Sequence, residues 1–247
     1  MAKLIAFYSR ADENYFGGQY RYVKVGNTEK VAKMISDLTG ADMFKIEQKV
    51  PYSANYKECV AQSVKDLKSK ARPELVSLPN LDDYDEIYLG YPNYCGTMPM
   101  AVYTFLEAFD FTGKTIHPFC THEGSGLSNT VNDIKNTAKG ATVTNGLHLL
   151  NVTFEPGCRN NWHIHHAKSG GGQLLICTAG EGWYQEEGKE PVSLTPGKVI
   201  VIPAEVKHWH GAKKDSWFSH IATEMPGEEC SNEWCEPVTD EEYNKLG

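Results

Sequence analysis

Asn161-Trp162-His163-Ile164-His165-His166 and, further on, Lys207-His208-Trp209-His210-Gly211 decide how the second half of this chain folds. In each stretch two histidines stand two residues apart. On a strand, residues i and i+2 point to one face, so each pair presents two imidazoles side by side. Short apolar runs broken by Gly and Pro lie between the pairs, which is the grammar of strands rather than helices. The combination points to a metal site inside a β-barrel. Six of the nine histidines fall between His163 and His220, and the first 116 residues contain none. The front of the chain must therefore work by other chemistry.

Around the paired histidines the pattern predicts strands at Leu149–Phe154, Leu174–Thr178, Gly182–Gln185, Val192–Leu194, Val199–Ile202 and Trp217–Thr223. Turns such as Glu155-Pro156-Gly157, Thr195-Pro196-Gly197 and Met225-Pro226-Gly227 separate or follow them. Many short strands at regular spacing indicate a sandwich or small barrel. Before about residue 140 the grammar differs. A strand at Leu4–Ser9 is followed by a loop rich in Gly, Tyr and Asn, then by a helix from Thr28 to Leu38 with Val31, Ala32, Ile35 and Leu38 at helical spacing. Asn27 is expected to cap that helix and Gly40 to end it. Further strands at Asp42–Ile46, Ile87–Gly90 and His117–Cys120 alternate with helices at Tyr56–Arg72, after Pro99, and up to about Lys139. Such alternation means a parallel sheet. Two domains follow, residues 1–147 and 148–247, with almost no linker.

Bulk properties narrow the function. A formal net charge of -8 argues against nonspecific binding to nucleic acid or anionic membrane. No apolar stretch is long enough to span a bilayer, and the start reads as a buried strand rather than a signal peptide, so a cytoplasmic location is expected. Seven cysteines without an export signal are expected to be mostly reduced thiols, with Cys230 and Cys235 the closest pair.

In an open parallel sheet, ligands bind beyond the carboxyl ends of the strands. Three loops leave such ends here. Ser9-Arg10 and Gly26-Asn27-Thr28 could hold a phosphate at a helix start. Tyr91-Pro92-Asn93-Tyr94-Cys95-Gly96-Thr97 offers tyrosines beside small residues that let backbone approach a planar ring. Thr121-His122-Glu123-Gly124-Ser125-Gly126 could bond the edge of a heteroaromatic ring. Taken singly, each is an ordinary cap, packing turn or flexible loop.

Together, Tyr8-Ser9-Arg10, Val25-Gly26-Asn27-Thr28, Gly96-Thr97-Met98-Pro99-Met100 and Pro118-Phe119-Cys120-Thr121-His122-Glu123-Gly124-Ser125-Gly126 resemble the flavodoxin family, in its variant with an insertion in the phosphate loop. The resemblance covers about the first 147 residues. It implies FMN, with Ser9, Arg10, Gly26, Asn27 and Thr28 at the phosphate. It also implies Pro92, Asn93, Tyr94, Cys95, Gly96 and Thr97, with Thr121, His122, Glu123, Gly124 and Gly126, around the isoalloxazine, Tyr94 stacking on it. The chain departs from the family after its last strand, where no helix follows to cover one sheet face. That face is expected to be apolar and to be buried by the other domain, the C-terminal tail or a second subunit.

The second half resembles a small bacterial cupin, an all-β double-stranded β-helix barrel. Its two motifs stand as Gly157 with His163-Ile164-His165, then Gln173 and Gly180, and as Gly197 with Pro203 and His208. The resemblance implies metal ligands at His163, His165, Gln173 and His208. Gln173 replaces the more usual glutamate and follows a longer gap, Ala167 to Gly172. Three neutral imidazoles and an amide oxygen leave open positions on a divalent metal, and Mn, Fe, Ni, Co and Zn are not distinguished. His210 is read as a fourth imidazole or a proton carrier, and His220 as a general base or a core histidine satisfied by one hydrogen bond. His166 points away as a surface residue. The half is short for a cupin, so its barrel either borrows a strand from a partner or stays partly open.

The combined expectation is an FMN-dependent redox or electron-transfer domain fused to a metal-binding cupin that acts on a small organic substrate. No dinucleotide fingerprint is visible, so a separate reductase is expected, as is a homodimer. A non-enzymatic sensor or storage cupin on a flavodoxin-like scaffold is the alternative. A cupin isomerase or oxygenase, with the first half serving assembly alone, is the third.

Overall fold

The computed structural model describes residues 2–246. The chain divides into two compact units, Met1–Leu149 and Leu150–Gly247. The first contains β1 (Ala2–Phe7), β2 (Asp12–Phe16), β3 (Gln19–Val23), α1 (Asn27–Thr39), β4 (Asp42–Lys45), α2 (Tyr56–Ser69), β5 (Tyr84–Pro92), α3 (Met100–Glu107), β6 (Thr115–His122), α4 (Thr130–Thr137) and β7 (Thr142–Val143), and β8 (Leu147–Phe154) runs across the division. Strands β7-β6-β5-β1-β4 pair in parallel.

Register assigns the two faces of this sheet. Leu4 and Ala6 of β1, Ile87, Leu89 and Tyr91 of β5, and Ile116 and Cys120 of β6 are buried together with Val102 and Phe105 of α3 and Ile134 of α4. The opposite face carries α1, tied down where Thr28 Oγ1 meets Thr121 Oγ1 at 2.8 Å. As expected from the sequence, the last parallel strand, β7, is followed among the described residues directly by β8 and not by a helix. The expected apolar face is only partly so. One row holds the Lys3–Glu86 ion pair at 3.2 Å, and the next stacks Tyr88 on His117 with ring centres 5.1 Å apart. Aromatic and charged side chains can face water there without a covering helix.

Two local expectations are corrected. Gly26, not Asn27, is the N-cap of α1, and no side chain caps it. A Cβ at Gly26 would lie 2.4 Å from both the Arg10 carbonyl and Ser9 Oγ, so the close approach of the two chain segments requires glycine. The Gly-, Tyr- and Asn-rich loop is the antiparallel hairpin β2–β3, turned at Gly17-Gly18, both with positive φ.

The second unit contains β9 (His163–His166), β10 (Ser169–Gly170), β11 (Gln173–Gly180), β12 (Gly182–Glu186), β13 (Val192–Leu194), β14 (Val199–Ile202), β15 (His208–Ala212), β16 (Phe218–Glu224), β17 (Gly227–Glu228), β18 (Ser231–Trp234) and α5 (Asp240–Asn244). Strands β14-β11-β16-β8 form one antiparallel layer and β13-β12-β15-β9-β18 another. Leu175, Cys177, Ile202, Phe218 and Ala222 of the first layer share a buried core with Tyr184, Leu194 and Ala212 of the second. The layers therefore pack face to face as a barrel.

The chain's own tail supplies β18, pairing it with β9. The tail then covers the outer side of the second layer, burying Trp162 and Trp209 with Val238 and Tyr243. Among the described residues no helix is long and apolar enough to cross a membrane.

Candidate metal centre and loop site

Strand β9 alternates as the spacing requires. His163 and His165 are buried, whereas His166 faces out between the carboxylates of Glu205 (2.7 Å) and Glu233 (2.8 Å). Register sets His208 of β15 opposite His163. The nitrogens of His163, His165 and His208 lie within 4.8 Å of one another. Each imidazole is also oriented. His163 donates Nδ1–H to the Asn161 carbonyl at 3.0 Å, His208 to the Val206 carbonyl at 2.9 Å, and His165 to Asn232 Oδ1 at 2.7 Å. A ring that donates from Nδ1 keeps its lone pair on Nε2, which is the form a metal needs. The Nε2 atoms of His165 and His208 are buried and have no partner. Burial, reinforced by the neighbouring imidazoles, pushes His208 down to about 4, and burial likewise lowers His163. Both rings are neutral at pH 7.

Gln173 opens β11 on the face of Leu175 and Cys177, which lie in the core. Its Oε1 is buried without a partner. The long gap before it is tightly built rather than slack. Ser169–Gly170 pairs with Gly227–Glu228 of the tail, and Gly170, Gly171 and Gly172 all have positive φ. A Cβ on Gly172 would lie 2.2 Å from the Ile202 carbonyl. The insertion thus delivers Gln173 in register with Ile202 and Glu224.

His210 and His220 stand beside the trio. Asn160 Oδ1 accepts the His210 backbone N–H at 2.9 Å, which turns the amide nitrogen toward the ring, 3.1 Å from Nε2. His220 lies between the rings of Phe154 and Phe218, its centre 4.7 Å from that of His210. Neither nitrogen of His220 has a partner, so it is not a core histidine satisfied by a hydrogen bond. Burial pushes it down to about 3 and holds His210 well below the usual range.

In the first unit the three loops meet at the carboxyl ends of the strands. Ser9 Oγ accepts the Glu29 backbone N–H at 3.1 Å, placing it at the start of α1. Arg10 donates from its terminal nitrogens to the carbonyls of Glu13, Ser53 and Ala54, while its Nε is buried and unpartnered. Asn93 joins the second loop to the third. Its Nδ2 donates to the Gly126 carbonyl (3.1 Å) and Ser128 Oγ (3.0 Å), and its Oδ1 accepts from Gly96 N–H (3.0 Å). The backbones of Tyr94 and Thr97 bond each other around Cys95 and Gly96, both at positive φ. Tyr94 packs edge-on against Tyr8, with its hydroxyl 3.8 Å from Cys59 Sγ. His122 Nδ1 accepts the backbone N–H groups of Gly124 (3.0 Å) and Gly126 (3.1 Å), so the ring proton sits on Nε2. That Nε2 is buried and unpartnered.

The flavodoxin family profile matches residues 20–164. The chain belongs to the flavodoxin family. The cupin domain profile matches residues 150–219. Two solved flavodoxin-side structures, assigned as flavoproteins, are similar. The one from Bacteroides uniformis has 28% identity and a TM-score of 0.50, covering 60% of this chain and 90% of that one. The one from Bacteroides eggerthii has 25% identity and a TM-score of 0.50, covering 60% and 87%. On the cupin side, an (R)-mandelonitrile lyase of Granulicella tundricola is 43% identical over 94 residues, which are 38% of this chain and 69% of that protein.

The flavodoxin loops fit a flavin on this structure's own evidence. Arg10 Nε and His122 Nε2 are buried polar atoms awaiting partners, and nothing lies within 4 Å of where a Cβ would stand on Gly96, Gly124 or Gly126. The cupin trio fits a divalent ion by its donor set. Four further residues border the clustered histidines without a signal in the sequence: Asn160, Asn232, Trp234 and Tyr184, whose ring centre lies 5.8 Å from that of His208. Their contacts join segments far apart in the chain, and no local spacing announces them.

Proposed function

We propose that this protein is an FMN-binding redox domain joined to a cupin centre in which His163, His165, His208 and Gln173 hold a divalent metal that acts on a small organic substrate. The observation that carries the metal centre is the set of three buried imidazoles, each donating from Nδ1 to a protein oxygen, with a ring nitrogen from each within 4.8 Å of the others. The bound ion would polarise an oxygen of the substrate. His210 and His220, both neutral at pH 7, are the groups available to take a proton from that substrate.

The cupin relative's name favours one substrate class, a hydroxynitrile. The hydroxyl proton would pass to His220 or His210, the bond to the nitrile carbon would break with its electron pair, and cyanide would leave protonated beside an aldehyde. No oxidant is consumed in that step. For the other half, Ser9, Arg10, Asn27 and Thr28 would hold the FMN phosphate, and residues 92–97 and 121–126 would surround the ring. The flavin would supply one- or two-electron transfer, with a separate reductase as donor.

The test is reconstitution of the full chain. Flavin absorbance retained after incubation with FMN and gel filtration, and a stoichiometric divalent metal lost in His163→Ala, are the expected results. A colourless protein retires the flavin half, and metal content unchanged in His163→Ala retires the centre. Metal-loaded protein that releases no cyanide from mandelonitrile retires the lyase step alone.

A further inference from the structure

We infer that the tail strand β18 is a working part of the metal centre, with Asn232 a positioning residue that fixes His165 for the ion and passes to it the negative charge of Glu224. The inference rests on the metal-centre reading above. His163 and His208 are oriented locally, each by the carbonyl two residues before it. His165 has a different arrangement, because its Nδ1 bonds a side chain of the tail.

The direction of that bond is forced. Glu224 Oε1 accepts from Asn232 Nδ2 at 3.0 Å, and a carboxylate can only accept. The amide oxygen of Asn232 therefore faces His165, whose Nδ1 must carry the proton at 2.7 Å. The chain Glu224–Asn232–His165 polarises the imidazole and raises the donor strength of its Nε2.

Charge explains why this relay matters. Three neutral imidazoles and an amide oxygen offer a divalent ion no negative charge. Glu224 is the register partner of Gln173, so the two side chains leave neighbouring strands on one face of the sheet. The pairing of β18 repeats the alternation of β9, with Asn232 opposite His165 and Trp234 opposite His163. Trp234 lies tilted against the His163 ring at 4.9 Å. Both inward histidines thus carry a tail residue at their backs.

The test uses the full chain in two measurements. Long-range proton–nitrogen NMR on the metal-free, histidine-labelled protein reads the tautomer of His165. Competition between the protein and a chromogenic chelator reads its affinity for Co(II). Wild type should show His165 protonated at Nδ1. Asn232→Ala should lose that single tautomer and weaken Co(II) binding by about 10- to 100-fold. Asn232→Asp, which sets a carboxylate directly against Nδ1, should keep the tautomer and at least the wild-type affinity, and Glu224→Gln should fall between wild type and Asn232→Ala. Unchanged affinity and tautomer in Asn232→Ala would overturn the inference. Should Asn232→Ala fail to fold, equal affinity of wild type, Asn232→Asp and Glu224→Gln overturns it as well. A wild type that takes up no Co(II) defeats the metal reading instead, and the tautomer measurement still decides whether Asn232 sets His165.

Discussion

His122 is held as one tautomer by two glycine N–H groups, and it is kept neutral by burial, with His148 adding to the effect, so that it sits down at about 4. The sign of the resulting pH dependence follows directly. Between pH 6.5 and 4 the unfolded chain takes up a proton that the folded loop refuses. This residue therefore lowers stability as pH falls through that window, by about 3 kcal/mol at most, and contributes no further change below it. In His122→Asn the amide oxygen can accept the same two N–H groups without titrating. Calorimetric melting at pH 7 and at pH 4.5 should show a smaller loss for the variant, and equal losses would remove His122 from the pH response. The same Nε2–H is a buried donor without a partner; on the flavin reading proposed above it would bond the ring, and His122→Asn should then also weaken FMN retention.

At the scale of elements, the loop from Ala167 to Gly172 shows how placement depends on backbone rather than side chains. Gly172→Ala puts a Cβ against the Ile202 carbonyl at a φ of 93°, where L residues are strained. We expect a loss of about 1–3 kcal/mol, read from urea denaturation, together with weaker metal uptake as Gln173 shifts. Metal uptake unchanged in a destabilised Gly172→Ala would argue that Gln173 is not a ligand. How legible such features were in the sequence varies with their range. The His163/His165 and His208/His210 pairs were readable because the strand period is local. Gln173 was readable as a motif position, but its inward face depends on strand β11 beginning at that residue. The β2–β3 hairpin did leave a signal, Gly17-Gly18 between Tyr15-Phe16 and Gln19-Tyr20, which the surrounding polar residues masked. Asn232 left none, because its meaning comes from pairing with a strand far back in the chain.

At the scale of the whole molecule, the tail answers the shortage of strands that the second half presents. It adds β18 to the barrel layer and seals Trp162 and Trp209 beneath Val238 and Tyr243. Tyr243 donates its hydroxyl to the Ala212 carbonyl at 2.7 Å and lies under the Arg159 guanidinium at 4.3 Å. Ending the chain after Gly227 should shift tryptophan emission to the red and lower Tm by about 10 °C, the effect of losing a few kcal/mol in a chain this size. Unshifted emission would mean that the tail does not shield those indoles in solution.

His163 and His208 take their orientation from carbonyls two residues behind them, so those donors stand ready before any ion arrives. An ion entering between these two rings would meet donors already oriented, and the pace of its capture would then follow how quickly it sheds its water. On the metal-centre reading proposed above, which ion is held would follow supply and escape rate during synthesis, so the same polypeptide made in media of different metal content should emerge with different ions.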